Sequence, residues 1–310
     1  KAVNDLVQYT QDFGAFLSSA NPNLPKDAVA KLVEMHVLTL KDVVDAQAAG
    51  DQAKAYTALR AAYVHMDMIG SGLASAIGQQ FPDKFTGAVD SPAAVLRTTL
   101  TWELQQHTYL AASATNAALG GRTDEFNAAA AALDANSVDL SKAIGSVYGA
   151  DAEKAFLPLW RTHIGFFVDY TQGVAAKDQA KQDKAVNDLV QYTQDFGAFL
   201  SSANPNLPKD AVAKLVEMHV LTLKNVVDAQ AAGDQTKAYT NLRMAFAHMT
   251  MIANPLTDAI VQQFPDKFGR DVQVIPAVMP NTGAMDMLPT ILLGAAVLIG
   301  AGTLLRRRAA

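Results

Sequence analysis

All six histidines of this 310-residue chain sit in segments that recur, and none falls in a linker. His107, His163 and His219 follow one another at a spacing of 56 residues, each in the first helix expected of a helical hairpin. His248 lies in the last helix of the same stretch, and His36 and His65 repeat His219 and His248 in an earlier copy. A neutral imidazole with a free ring nitrogen is the commonest metal ligand of proteins. Other donors stand close in sequence. Glu103 precedes His107 by one helical turn on the same face, Met218 precedes His219, and Met249 and Met251 follow His248. Imidazole with thioether favours copper, Cu(I) above all, whereas imidazole with carboxylate favours zinc or iron. Inward His and Met in a helical bundle also suit haem held without covalent attachment. The candidate ligand set is therefore His107, His163, His219, His248, Glu103 and Met251, with His36 and His65 as counterparts in the earlier copy. The competing reading makes each ring a packing residue, hydrogen-bonded to a tyrosine such as Tyr109, Tyr170, Tyr192 or Tyr239, with Met filling gaps.

Composition removes most other chemistries. There are 25 basic and 30 acidic residues, a net charge of −5. Nucleic acid is not an expected partner, because phosphate binding wants a basic face. Cysteine is absent, which excludes disulfides, thiolate metal sites, iron–sulfur clusters, covalent haem attachment and thiol nucleophiles. Hydrophobic residues make up 50% of the chain, too many for a disordered polymer. The chain has no phosphate-binding glycine loop at a strand–helix junction, no GxSxG elbow and no HExxH pair. No enzyme is expected. Trp102 and Trp160 read as core anchors.

The elements that must position the histidines are helices. Phe156, Trp160, His163, Phe167 and Tyr170 step by four, three, four and three, a single helical stripe, and Leu96, Leu100, Leu104 and His107 do the same. Such histidines face a core. Ser91-Pro92 is a cap followed by proline in the first turn, Pro208 plays the same part, and Gly120-Gly121, Gly149 and Gly233 mark turns. Helices are expected over 92–119, 124–147, 151–177, 182–202, 208–231 and 235–263, with no strands. The fold class is all-α: antiparallel helical hairpins packed as a repeat or bundle. Pro255, matched by Gly70-Ser71-Gly72 in the earlier copy, predicts a kink or break near Asn254.

Lys1–Lys41 recurs without a change as Lys184–Lys224, and the match continues with substitutions to Phe85 and Phe268 at an offset of 183. The expected organisation is a truncated carboxyl-terminal part of a first module (1–85), a complete six-helix module (86–268), a linker (269–287), an apolar segment (288–305) and a basic tail (306–310). Because Lys184 lies inside a helical run, the first copy is expected to start mid-module, with its upstream part and any export signal outside this sequence. The truncated part lacks packing partners and is expected to be the less stable.

The apolar run 288–305 would span about 27 Å as a helix, enough for a hydrocarbon core, and Arg306-Arg307-Arg308 follows it on the side expected to be cytoplasmic. Just ahead stands Met279-Pro280-Asn281-Thr282-Gly283. Pentapeptide, apolar segment and basic tail together resemble the sorting signal of LPxTG-type cell-wall-anchored surface proteins of Gram-positive bacteria, here with Met279 where Leu is usual. The resemblance implies a membrane-inserted precursor, cleavage between Thr282 and Gly283 by a sortase, transfer of the Thr282 carbonyl to peptidoglycan, and a cell-surface address.

Three phrases in the module, Trp160–Tyr170, Ala203–Pro208 and Gln263–Phe268, resemble repeats of secreted Gram-positive proteins labelled copper-amine-oxidase-like. The β-rich catalytic domain and modified-tyrosine context of true copper amine oxidases are not visible, so no oxidase activity is implied. Two functional readings follow: an exported surface protein binding copper, iron, zinc or haem through buried histidines, or a structural spacer or adhesin without ligand.

Overall fold

The computed structural model, which describes residues 2–269, contains helices and no strands among those residues: α1 (Ala2–Ala20), α2 (Lys26–Ala48), α3 (Gln52–Gln80), α4 (Pro92–Leu119), α5 (Thr123–Tyr148), α6 (Ala150–Ala176), α7 (Gln179–Ala203), α8 (Lys209–Ala231), α9 (Gln235–Gln263) and α10 (Pro265–Phe268). The described residues are all-helical, as their periodicity predicts. Local chemistry sets the boundaries. The Ser91 side chain accepts from the Ala94 N–H ahead of Pro92, and Asp51, Asp178 and Asp234 cap α3, α7 and α9 in the same way. Gly149, at φ 92°, turns the chain between α5 and α6 in a conformation that disfavours a side chain.

Each long helix packs on the one before it across a short turn, apart from α4, which follows the longer 81–91 connection. The first members of three successive pairs, α4, α6 and α8, also touch one another. Their stripes meet there. Leu96, Leu100, Leu104 and His107 of α4 and Phe156, Trp160, His163, Phe167 and Tyr170 of α6 are all buried. Close approach needs small residues in places. A Cβ on Gly197 of α7 would come within 2.6 Å of the Lys209 carbonyl at the start of α8.

The break expected near Asn254 does not occur. α9 runs unbroken from Gln235 to Gln263 with Pro255 inside it, and α3 passes through Gly70-Ser71-Gly72 in the same way. An interior proline costs about 3 kcal/mol locally. Here α9 is held against α4 and α8 along its length, and its buried Met249, Ala253, Thr257 and Ile260 bracket the proline on the packed face. Tertiary packing exceeds the local penalty. Pro158 is carried inside α6 likewise. The four-residue α10 was not expected; it drops Phe268 into the core.

Helices α1–α3 repeat α7–α9 in sequence, and α2 and α3 match α8 and α9 in length. They dock on the rest through α3, which packs on α4 and α5. Arg60 reaches across: its Nε donates to Gln106 Oε1 at 2.8 Å and its Nη2 to Asp139 at 2.6 Å. Among the described residues no helix is long and apolar enough to cross a membrane. The 288–305 segment and the 279–283 pentapeptide lie outside the described residues.

Candidate metal centre

The 56-residue spacing becomes a meeting point. His107 of α4, His163 of α6 and His219 of α8 each offer a ring nitrogen, and these atoms all lie within 4.8 Å of one another. The Nε2 atoms of His107 and His163 are 3.4 Å apart. Ring centroids of His107 stand 5.3 Å from His163 and 5.8 Å from His219. Equal spacing works because each ring occupies the same position on the first helix of its pair, and those three helices share the centre.

All three rings are buried, and the surroundings are apolar. Trp160 packs edge-on against His163 at 4.6 Å, and Tyr192 of α7 lies against its other side at 4.9 Å. A cavity of about 70 Å³ reaches His163 and His219 between walls that include Leu104, Phe196, Val216 and Met249. A second, of about 150 Å³, touches His107 and His163 from the side of Phe167 and Leu223.

Burial decides the protonation state. It pushes His107 and His219 well below the ordinary imidazole range and His163 down to about 3, and the neighbouring imidazoles add to each shift. The Trp160 backbone, which does not meet hydrogen-bond geometry with the ring, opposes the shift of His163 weakly. The rings are therefore neutral at any ordinary pH, the form in which a nitrogen lone pair is free to bind a metal.

Hydrogen bonding leaves most of that capacity unused. Apart from the His107–His163 contact, the ring nitrogens are without hydrogen-bond partners: Nδ1 of all three residues and Nε2 of His219. Trp160 Nε1 and Tyr192 Oη, which border the same space, are also unpaired. Each such buried group costs about 1–3 kcal/mol, and native cores contain few of them. So many in one spot call for an explanation.

The remaining sequence candidates go elsewhere. His248 Nε2 bonds the Leu215 carbonyl at 2.9 Å, and His65 makes the equivalent bond to Leu32 at 2.8 Å. The same bond in both copies, one of which has no triad, makes it a tie between adjacent helices. Glu103 is buried but is not in the triad; its carboxylate accepts from Asn136 of α5. Burial, reinforced by nearby Asp139, raises that carboxyl to about 7, against the opposing effects of Arg60 and the Asn136 bond. Met251 is half-buried and does not line the cavity. Met249, two residues earlier and fully buried, does. His36 is half-buried on α2 and belongs to no three-ligand group among the described residues. Of the candidate set the structure brings together His107, His163 and His219, and places the thioether of Met249 on the same cavity. Nothing in the spacing of Met249 and Met251 separates them until the inward face of α9 is known.

No known family model, curated protein or solved structure matches the chain. Its function must be read from the site.

Proposed function

We propose that the module binds one transition-metal ion through His107, His163 and His219, and that Cu(I) is the ion it suits best. The observation that carries this reading is the triad itself: three neutral imidazoles with nitrogens within 4.8 Å and four ring nitrogens without partners in an apolar core. A metal at the centre answers at least one nitrogen of each ring. The donor set has neither carboxylate nor thiolate, since Glu103 is spent on Asn136 and cysteine is absent. Burying an ion without a counter-charge is costly, and the Born cost rises with the square of the charge, so a divalent ion pays about four times as much as a monovalent one. Three imidazoles with a thioether nearby are soft enough for Cu(I). Zinc and iron, bound as divalent ions, carry the larger burial cost. Haem fits poorly, because cofactor pockets run to about 300–1,000 Å³ and the two cavities hold about 70 and 150 Å³.

The binding module would sit at the cell surface. The order of Met279–Gly283, the 288–305 apolar run and Arg306–Arg308 supports a precursor held by a membrane helix, cut after Thr282 by a sortase and joined to peptidoglycan. The hairpins would then form a repeat projecting from the wall. No catalytic step is part of this reading.

Purified chain, reduced under anaerobic conditions and titrated with Cu(I) against a competing chelator, is expected to take up one ion per chain. His163→Ala and His219→Ala are each expected to abolish it. Uptake that survives both changes rejects the triad as the site, and none in the parent rejects metal binding. The second reading, a spacer without ligand, draws on the His107–His163 contact and the apolar walls; it would then stand. For the address, mass spectrometry of wall digests is expected to find Thr282 attached to a peptidoglycan fragment. An intact Arg308 in the mature protein would refute the anchor.

A further inference from the structure

The duplication places identical side chains in two environments. Val44 of α2 is 60% exposed, and its counterpart Val227 of α8 is 0% exposed. Leu6 is 45% exposed and Leu189 1%. Tyr9 against Tyr192, Met66 against Met249 and Ile77 against Ile260 differ in the same sense. The difference belongs to one face only. Leu38 and Leu221 are both 50% exposed, so the outward faces of the two copies match. In the complete copy, the face in question is covered by α4–α6. Leu189 packs in a cluster with Leu110, Leu133 and Phe167, and Met249 and Ile260 pack in one with Leu100, Leu104 and Trp160. The contact that α1–α3 does make, through Arg60 and α3, uses a different surface: the counterpart Arg243 of α9 is exposed.

We propose that the exposed face of α1–α3 is a docking surface for a three-helix segment of the α4–α6 type, one that presents the residues with which α4–α6 covers α7–α9. The complementarity is already displayed within the chain, where the same residues receive α4–α6. A second copy of this chain does not supply the cover. Each copy has one α4–α6 and two faces that fit it, so exchange between copies uncovers as much as it covers. Docking has a chemical consequence, which rests on the metal reading above. His36 holds the place of His219 and keeps its Nδ1 buried and unpaired. An incoming segment with imidazoles at the positions of His107 and His163 completes a second three-histidine centre. The face is thus half of a docking interface and one third of a ligand set.

The test repeats residues 91–183 ahead of Lys1 in the full chain. Amide hydrogen exchange, which needs no metal, reads the docking. In the parent chain α1–α3 is expected to exchange about tenfold or more faster than α7–α9, and in the extended chain the two sets are expected to become equal. A second version, with the same segment joined through a flexible Gly/Ser linker, guards against a strained junction. Unchanged exchange of α1–α3 in both versions overturns the docking surface. Protection of α1–α3 in the parent chain through self-association overturns it in favour of a second copy. Cu(I) uptake reads the second centre separately. It is expected to rise from one ion per chain to two, and His36→Ala is expected to return it to one. Equalised exchange with uptake fixed at one ion overturns the second centre alone. Absence of uptake by the parent overturns the metal reading and leaves docking to be judged by exchange.

Discussion

The Nε2 atoms of His107 and His163 face each other across 3.4 Å inside an apolar core. In the neutral state one proton at most can sit between them, so one ring donates and the other accepts. The third ring, His219, has neither nitrogen paired. In the absence of metal the cluster is a source of instability, and that makes the metal reading testable through stability as well as through uptake.

His219→Leu removes two unpaired buried nitrogens and fills much of the same volume. The metal-free protein is expected to gain about 1 kcal/mol in urea unfolding, while Cu(I) uptake is lost. A loss of stability above 1 kcal/mol would show that His219 serves the fold and not a ligand.

Acid should unfold the protein early. The buried rings bind protons far less well than the unfolded chain, in which imidazole titrates near 6.5; His163 has fallen to about 3. Their stabilising contribution is complete above pH 6.5 and is lost as pH falls from there towards 3, at up to about 1.4 kcal/mol per pH unit for each ring. Glu103 acts in the opposite sense. Its carboxyl is raised from 4.5 to about 7, so its contribution is full below pH 4.5 and is lost as pH rises through 7. Between pH 4.5 and 6.5 three rings oppose one carboxyl, and net stability falls with acid. Urea midpoints at pH 7.5 and 5.5 should differ accordingly, and His163→Phe should flatten the difference. Equal midpoints in the parent would contradict the burial of the triad.

Glu103→Gln gives the complementary sign. The substitution keeps a donor and acceptor beside Asn136 but removes the titration, so it should stabilise the protein at pH 8 relative to pH 5. The readout is the difference in urea midpoint between variant and parent at the two pH values. A uniform loss at both would mean that the carboxylate is needed charged.

Gly197→Ala should drive α7 away from α8, because the new methyl would meet the Lys209 carbonyl at 2.6 Å. Backbone cannot yield as a side-chain tip can, and the expected cost is about 1–3 kcal/mol, read as a lowered thermal midpoint. Gly14→Ala meets the Lys26 carbonyl at 2.5 Å in the earlier copy. Its effect should appear as faster amide exchange confined to α1–α3.

Arg60→Ala should loosen the whole of α1–α3. It removes the bonds to Gln106 and Asp139 at about 1 kcal/mol, discounted because both charged groups are partly solvated. The same change should raise the Glu103 carboxyl further, since Arg60 now holds it down. Exchange of α1–α3 and titration of Glu103 followed by NMR should move together.

Much of this was legible in the residues. Ser91-Pro92 and Gly120 bracket 92–119, and the structure has α4 at Pro92–Leu119. The stripe through Phe156 and Tyr170 turns His163 inward, and the 56-residue spacing pairs it with His107 and His219. The misses have one physical origin. Periodicity gives the angle of a side chain around its own helix, but not which neighbour lies at that angle. Glu103 shares a face with His107 and yet reaches Asn136 on α5. His248 is inward and yet is tied to the Leu215 carbonyl. Met251 and Met249 differ by about 200° around α9, and the inward one is Met249. Pro255 carries a local penalty, but packing against α4 and α8 holds both halves of α9, and no break appears.

The stretch 1–41 is letter for letter the stretch 184–224, so during folding α4–α6 meets two rival suitors on its own chain. Substitutions beyond Lys41 and Lys224, such as Asp42 against Asn225, and the short α6–α7 turn tell them apart. Refolding should therefore divide into a fast route, in which the later copy claims its place, and a delayed one, in which the earlier copy must first let go.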